Sequence, residues 1–156
     1  MIFSMKRLPT KEEFAKLCEL EHYWDDLYKC IVFKANNGKE LRFYTSPYYN
    51  YNKDVNNNVD DKKYEHQFVY IDLLYISYFW CFNIVQQNLS IIHFGDDVKN
   101  DDYCDGISVR LVSDEPCDGY IDMGTGIYWA PENYHEGEKE YFTYEEAKVH
   151  TGKFIN

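Results

Sequence analysis

The sequence predicts an α+β fold: a mostly antiparallel sheet with one main N-terminal helix and a short C-terminal helix. Three observations predict it. Two S/T-x-x-E capping boxes, Thr10–Glu13 and Thr143–Glu146, open helical patterns near the two ends of the chain. Between them lie runs rich in Val, Ile, Phe, Tyr and Trp, divided by Asn, Asp and Gly turns. No strand–helix–strand alternation occurs, so the usual route to a parallel sheet is missing. The 156 residues fit a single domain, 1–156, with a sizeable core, and 16 Tyr, 10 Phe and 3 Trp argue for folding over disorder.

Taken in order, the first helix is expected over about residues 10–22. Thr10 caps it, Pro9 stands just outside where its missing donor costs nothing, and Phe14, Leu17, Cys18 and Leu20 form its apolar stripe. Glu21 to Asp26 reads as a loop, with Trp24 packing back on the core. Tyr28–Lys34 and Glu40–Tyr44 flank Asn36-Asn37-Gly38 and read as a hairpin. Residues 45–67 mix Tyr, Asn, Lys and Asp and read as a long exposed loop. The apolar run Phe68–Val85 is too long for one strand and divides near 68–74 and 77–85, with Leu89–Phe94 returning as a hairpin partner. After an acidic loop at 95–106, Gly106–Val112 reads as a strand with Ile107, Val109 and Leu111 on one face and Ser108, Arg110 and Val112 on the other. Two strand pieces around a glycine turn follow in Tyr120–Ala130, then a polar loop at 131–142 and a helix to about His150.

The net charge is −11, and so acidic a surface repels phosphate backbones and argues against nucleic acid as a partner. The five Cys have no paired spacing and there is no CxxC, which fits free thiols in a reducing compartment. No signal peptide is recognised at Met1–Leu8, and the longest apolar stretch, around Tyr75–Val85, is too short and polar to span a bilayer. The expected location is therefore the cytoplasm or a virion assembled there. No Ser-His-Asp order, glycine-rich phosphate loop or HExxH motif appears, and no cofactor is expected.

Arg7-Leu8-Pro9-Thr10-Lys11-Glu12-Glu13-Phe14, then Trp24, Leu41-Arg42-Phe43, Ser77-Tyr78-Phe79-Trp80-Cys81-Phe82 and Gly106-Ile107-Ser108-Val109-Arg110-Leu111-Val112 together resemble the Fibrobacter major paralogous domain. That family is common in gut Bacteroidetes and their phages, and the resemblance implies a C-type-lectin-like fold. It covers about residues 6–113. Val69-Tyr70-Ile71-Asp72-Leu73-Leu74 stands where the family often has a YWSST-like strand. A further segment, Tyr120-Ile121-Asp122-Met123-Gly124 with Trp129-Ala130-Pro131-Glu132-Asn133, is similar to one that family members carry before the RLPT helix. Here it follows the SVRLV strand, so residues 119–156 read as a circularly permuted N-terminal segment. The other reading is a truncated second repeat whose strand is donated to a neighbouring chain. Permutation predicts that 107–112 pairs antiparallel with a strand inside 120–130 of the same chain.

Several constellations are candidates for function. Asp54, Asn56, Asn58, Asp60 and Glu65 occupy positions 1, 3, 5, 7 and 12 of an EF-hand-type calcium loop, but Val59 stands where glycine is needed and no helices flank it. A solvated loop is the expected reading and no metal is assigned. The lectin-type calcium motif has only loose echoes, in Glu115-Pro116-Cys117 and Trp24-Asp25-Asp26. Asp96, Asp97, Asp101, Asp102 and Asp105 form an acidic loop, and the His residues are scattered without ligand spacing. Tyr48, Tyr49 and Tyr51, among Pro, Asn and Lys, have the composition of a contact surface, or else cap the core. The expected binding surface is Tyr48, Tyr49 and Tyr51 with a rim of Asp96, Asp97, Asp101 and Asp102. Three functional classes follow: a non-enzymatic binding or structural module, as in a phage virion component or surface adhesin, whose partner is a virion or host surface protein or a glycan; an acidic phage protein that blocks a basic host factor; and an enzyme related to formylglycine generation, which would need Cys104 and Cys117.

Overall fold

The computed structural model describes residues 6–45, 65–71, 75, 77–95 and 106–152. Among them the chain runs β1 (Lys6–Arg7), α1 (Lys11–Cys18), β2 (Glu21–Asp25), β3 (Cys30–Lys34), β4 (Glu40–Tyr44) and β5 (His66–Val69). It continues through β6 (Ser77–Asn83), β7 (Asn88–Phe94), β8 (Val112–Ser113), β9 (Ile121–Asp122), β10 (Tyr128–Trp129) and α2 (Tyr144–Lys148). The strands form sheets in the orders β1-β8-β10-β9, β2-β3-β4 and β5-β7-β6. The architecture is mixed α+β and mostly antiparallel, with β5 and β7 as a parallel pair.

Both capping boxes form. The Glu13 N–H donates to Thr10 Oγ1 at 3.1 Å while the Thr10 N–H donates to Glu13 Oε1 at 2.8 Å, and Thr143 and Glu146 repeat the exchange at α2. Helix α1 is shorter than expected, ending at Cys18. The reason is the next segment: Glu21–Asp25, expected as a loop, is the edge strand β2, paired along its length with β3. Its charged ends and exposed Tyr23 give it the look of a loop, while His22 and Trp24 turn inward onto Phe33 and Tyr75. The β3–β4 hairpin forms as expected, with Gly38 at φ 88° in the turn. Strand β3 does not alternate. Cys30, Ile31, Val32 and Phe33 are all buried: Ile31 and Phe33 enter the core, and on the other face the Arg42 side chain reaches Cys30, its Nη1 3.7 Å from Sγ.

The continuous apolar character of Phe68–Val85 has a similar cause. All seven residues of β6 are buried. Phe79 and Cys81 enter one core with Phe14, Phe33, Phe43, Phe94 and Trp129. Tyr78, Trp80 and Phe82 enter a second core with Leu8, Ile107, Leu111 and Phe142. Strand β6 and its partner β7 therefore form a layer covered on both sides, which is why neither face needs polar residues. The first core is an aromatic cluster, with Phe14 5.1 Å from Phe94 and Phe43 5.5 Å from Phe79, both edge to face.

Residues 107–113 run between these layers, and the expected facing holds. Ile107, Val109 and Leu111 line the second core, and Val112 lines the first. Only Val112–Ser113 is regular strand, because the segment changes partner along its length. Ile107 exchanges both backbone bonds with Phe142, the Ser108 carbonyl accepts from the Trp80 N–H, and the Leu111 carbonyl accepts from the Ala130 N–H. Strand β8 then pairs with β1 on one side and β10 on the other, Lys6 and Tyr128 both facing Ser113. The expected antiparallel pairing with a strand inside 120–130 thus occurs within one chain, but at Leu111–Ser113 and not along the whole of 107–112.

Candidate functional site

Two arginines, Arg7 of RLPT and Arg110 of SVRLV, are each 1% exposed, and the difference between their partners locates the site. Arg7 engages every N–H of its fork. Its Nη1 donates to the Leu8 carbonyl and Glu13 Oε1, its Nη2 to Glu13 Oε2 and Asp114 Oδ1, and its Nε to Asp114 Oδ2, all within 2.7–3.0 Å. Burial alone would lower its pKa, but the bonds to Glu13 and then Asp114 outweigh burial and hold it above the ordinary arginine range. This is a structural clamp joining β1, the start of α1 and the turn after β8.

Among the described residues no carboxylate hydrogen-bonds Arg110. Its Nε donates to Asn133 Oδ1 at 2.8 Å, its Nη1 to the Ala130 carbonyl at 3.1 Å and its Nη2 to the Arg42 carbonyl at 3.0 Å. The guanidinium lies over the Phe43 ring, 4.0 Å from the centroid. These bonds fix the edge of β4 to the 128–133 segment. Burial pulls the Arg110 pKa down to about 10, the charge of Glu132 opposing it only in part. An arginine carries five N–H groups. One on each terminal nitrogen of Arg110 therefore has no partner among the described residues.

Arg110 and Ser108 line an open hollow of about 360 Å³ whose walls come from Tyr44, Thr45 and residues 132–135 and 140–141. Glu132 and Glu140 stand on its exposed rim with no ion-pair partner among the described residues. Tyr44, Tyr134 and Tyr141 supply aromatic surface. The Tyr134 hydroxyl donates to Glu136 Oε1 at 2.8 Å, which raises its pKa. A second hollow of about 220 Å³ shares residues 132–135 and adds Leu111 and Tyr120, whose phenol burial pushes up to about 12. No family model, curated protein or solved structure matches this chain.

The loop residues expected to bind stand differently. Tyr48, Tyr49, Tyr51, Asp96, Asp97, Asp101 and Asp102 lie outside the described residues, as do Asp54, Asn56, Asn58, Asp60, Asp105 and Cys104. Glu65 is described, and its Oε2 accepts from Asn83 Nδ2 at 3.1 Å. Among the described residues no group of three or more His, Cys, Asp or Glu is placed to hold a metal ion, and no helix is long and apolar enough to cross a membrane. Burial pushes the Cys18 thiol up to about 12 and also raises Cys81, away from the thiolate a nucleophile needs.

Residues at the hollow were not singled out by sequence reasoning. The sequence pattern puts Arg110 on the second face of its strand and makes 131–142 a polar loop. A signal existed: a charged residue inside an apolar strand must find acceptors when buried, and the Trp129-Ala130-Pro131-Glu132-Asn133 segment provides two of them.

Proposed function

We propose that this chain is a non-enzymatic binding module of C-type-lectin-like fold, acting as a structural component of a phage virion or as a surface adhesin, with a protein partner. One observation carries the reading. The two segments that the sequence reads as long loops adjoin the same hollow: Thr45, the last described residue before 46–64, and Ser108, two residues past the start of the described chain after 96–105, line it together. The ends are held on rigid backbone, the Thr45 N–H donating to the Lys29 carbonyl at 3.3 Å and Glu65 accepting at its carbonyl from the Ile91 N–H at 2.9 Å. A rigid core presenting adjacent long loops is the usual basis of a variable contact surface.

The fold assignment rests on the RLPT and SVRLV motifs and is supported by the pairing of β1 with β8, which brings the start and end of residues 6–113 together. Pairing of β10 with β8 supports the permuted order, since a segment moved from before β1 to after β8 can keep the same neighbour. The test is mass spectrometry of purified phage particles, together with the triple variant Tyr48→Ser/Tyr49→Ser/Tyr51→Ser. Folded variant protein absent from particles, with the parent present, is the expected result. Absence of the parent from particles overturns the virion reading, and an unfolded triple variant assigns those rings to the core.

A further inference from the structure

We propose that the hollow beside Arg110 binds a small zwitterion of the α-amino acid class, its carboxylate on the two open N–H groups of Arg110 and its ammonium between Glu132 and Glu140. The floor carries a buried cation that no carboxylate of the described residues hydrogen-bonds, Glu132 acting on it only through space. A ligand carboxylate there would make the charge-assisted, forked pair for which a guanidinium is shaped. The rim carries two unpaired carboxylates on a protein of net charge −11, which repels a simple anion before it reaches the floor. A simple cation meets the opposite problem at Arg110. Only a ligand with both signs, a short distance apart, is complementary to floor and rim together. Tyr44, Tyr134 and Tyr141 provide ring faces for an ammonium or an apolar side chain. The volume of about 360 Å³ sits at the small end of ligand pockets, suited to a single amino acid. The proposal does not rest on the loop-borne partner surface, so either reading can fail without the other.

The test is saturation-transfer NMR on the full chain with the free proteinogenic L-amino acids at millimolar concentration. Each binder is then compared with its N-acetyl derivative, which keeps only the carboxylate, and its amide, which keeps only the ammonium. The expected result is at least one binder, with both derivatives about tenfold weaker or more. Glu132→Gln/Glu140→Gln, whose exposed side chains make no hydrogen bond or ion pair among the described residues, should weaken the parent amino acid about tenfold and bring it level with the N-acetyl derivative. No binding by any amino acid overturns the proposal. So does an N-acetyl derivative or an amide that binds as well as the parent, which would make the hollow a plain anion or cation site. Unchanged affinity in the double variant overturns the role of the rim.

Discussion

Replacing Arg7 by Met removes the clamp between β1, α1 and the turn after β8 while keeping side-chain volume. It leaves Glu13 and Asp114 facing each other's charge without the guanidinium, and deprives the Leu8 carbonyl of a donor. Removing one partner of a buried ion pair costs about 3–5 kcal/mol. Glu13 and Asp114 are 21% and 20% exposed, so water reaches them in part and the lower end applies, about 3 kcal/mol. The buried Leu8 carbonyl adds about 1 kcal/mol. Against a typical domain stability of about 5–15 kcal/mol, a loss of about 4 kcal/mol is severe. With an m-value of about 2 kcal/mol/M, the urea midpoint should fall by about 2 M. Tryptophan fluorescence and far-ultraviolet circular dichroism during urea unfolding would follow it. Arg7→Lys keeps the charge but cannot fork to two carboxylates, and should lose about 2 kcal/mol. An Arg7→Met protein within about 0.5 kcal/mol of the parent would refute the clamp.

Gly152 sits at φ 61°, and a Cβ there would come 2.7 Å from Arg7 Cβ, so Gly152→Ala should lower stability by about 1–3 kcal/mol in the same urea assay. Thr143→Ala removes the cap of α2 and should cost about 1 kcal/mol, with Thr143→Ser restoring most of it. Trp80→Phe removes the indole N–H that donates to the Phe142 carbonyl at 2.7 Å and should cost about 1–3 kcal/mol. Burial lowers the His150 pKa from its ordinary value of 6.5, so the unfolded chain takes up the proton first as pH falls. The stability this contributes is present above pH 6.5 and is lost as pH falls through the lower folded value. Unfolding free energies measured from pH 8 to pH 5 should decline more steeply for the parent than for His150→Gln.

Local signals were the most legible. Both capping boxes, the Asn36-Asn37-Gly38 hairpin and the glycine turn at Gly124 and Gly126 are written in a few adjacent residues, and each forms. Strand β2 was hidden because an edge strand needs only two inward side chains, and Glu21 and Asp25 mask their alternation. The parallel pairing of β5 with β7 was beyond sequence reading because the choice of neighbour is made by packing, with the antiparallel partner β6 lying between them in sequence. The hollow was equally non-local. Tyr44, Arg110, Glu132 and Tyr141 come from separate stretches: the Arg110 fork ties the first three together through Arg42, Ala130 and Asn133, and the Ile107–Phe142 backbone pair holds the last beside them.

The double coverage of β6 also governs how the protein can be born. Synthesis is vectorial, and Tyr78, Trp80 and Phe82 leave the ribosome well before Phe142 and Ala147, the residues that cover them. The Leu8 N–H waits longer still, for the carbonyl of His150. At about 5–20 residues per second, the interval between those two positions is roughly 7–28 s. For the last part of it, roughly 3–12 s between the synthesis of Phe82 and that of Phe142, the nascent chain carries an uncovered apolar face beside unpaired strand edges, the condition in which chaperones bind and neighbouring chains on a polysome stick together. Slowing elongation should therefore lower the soluble yield of this protein, the reverse of what slow synthesis does for chains whose domains close from the N-terminus onward.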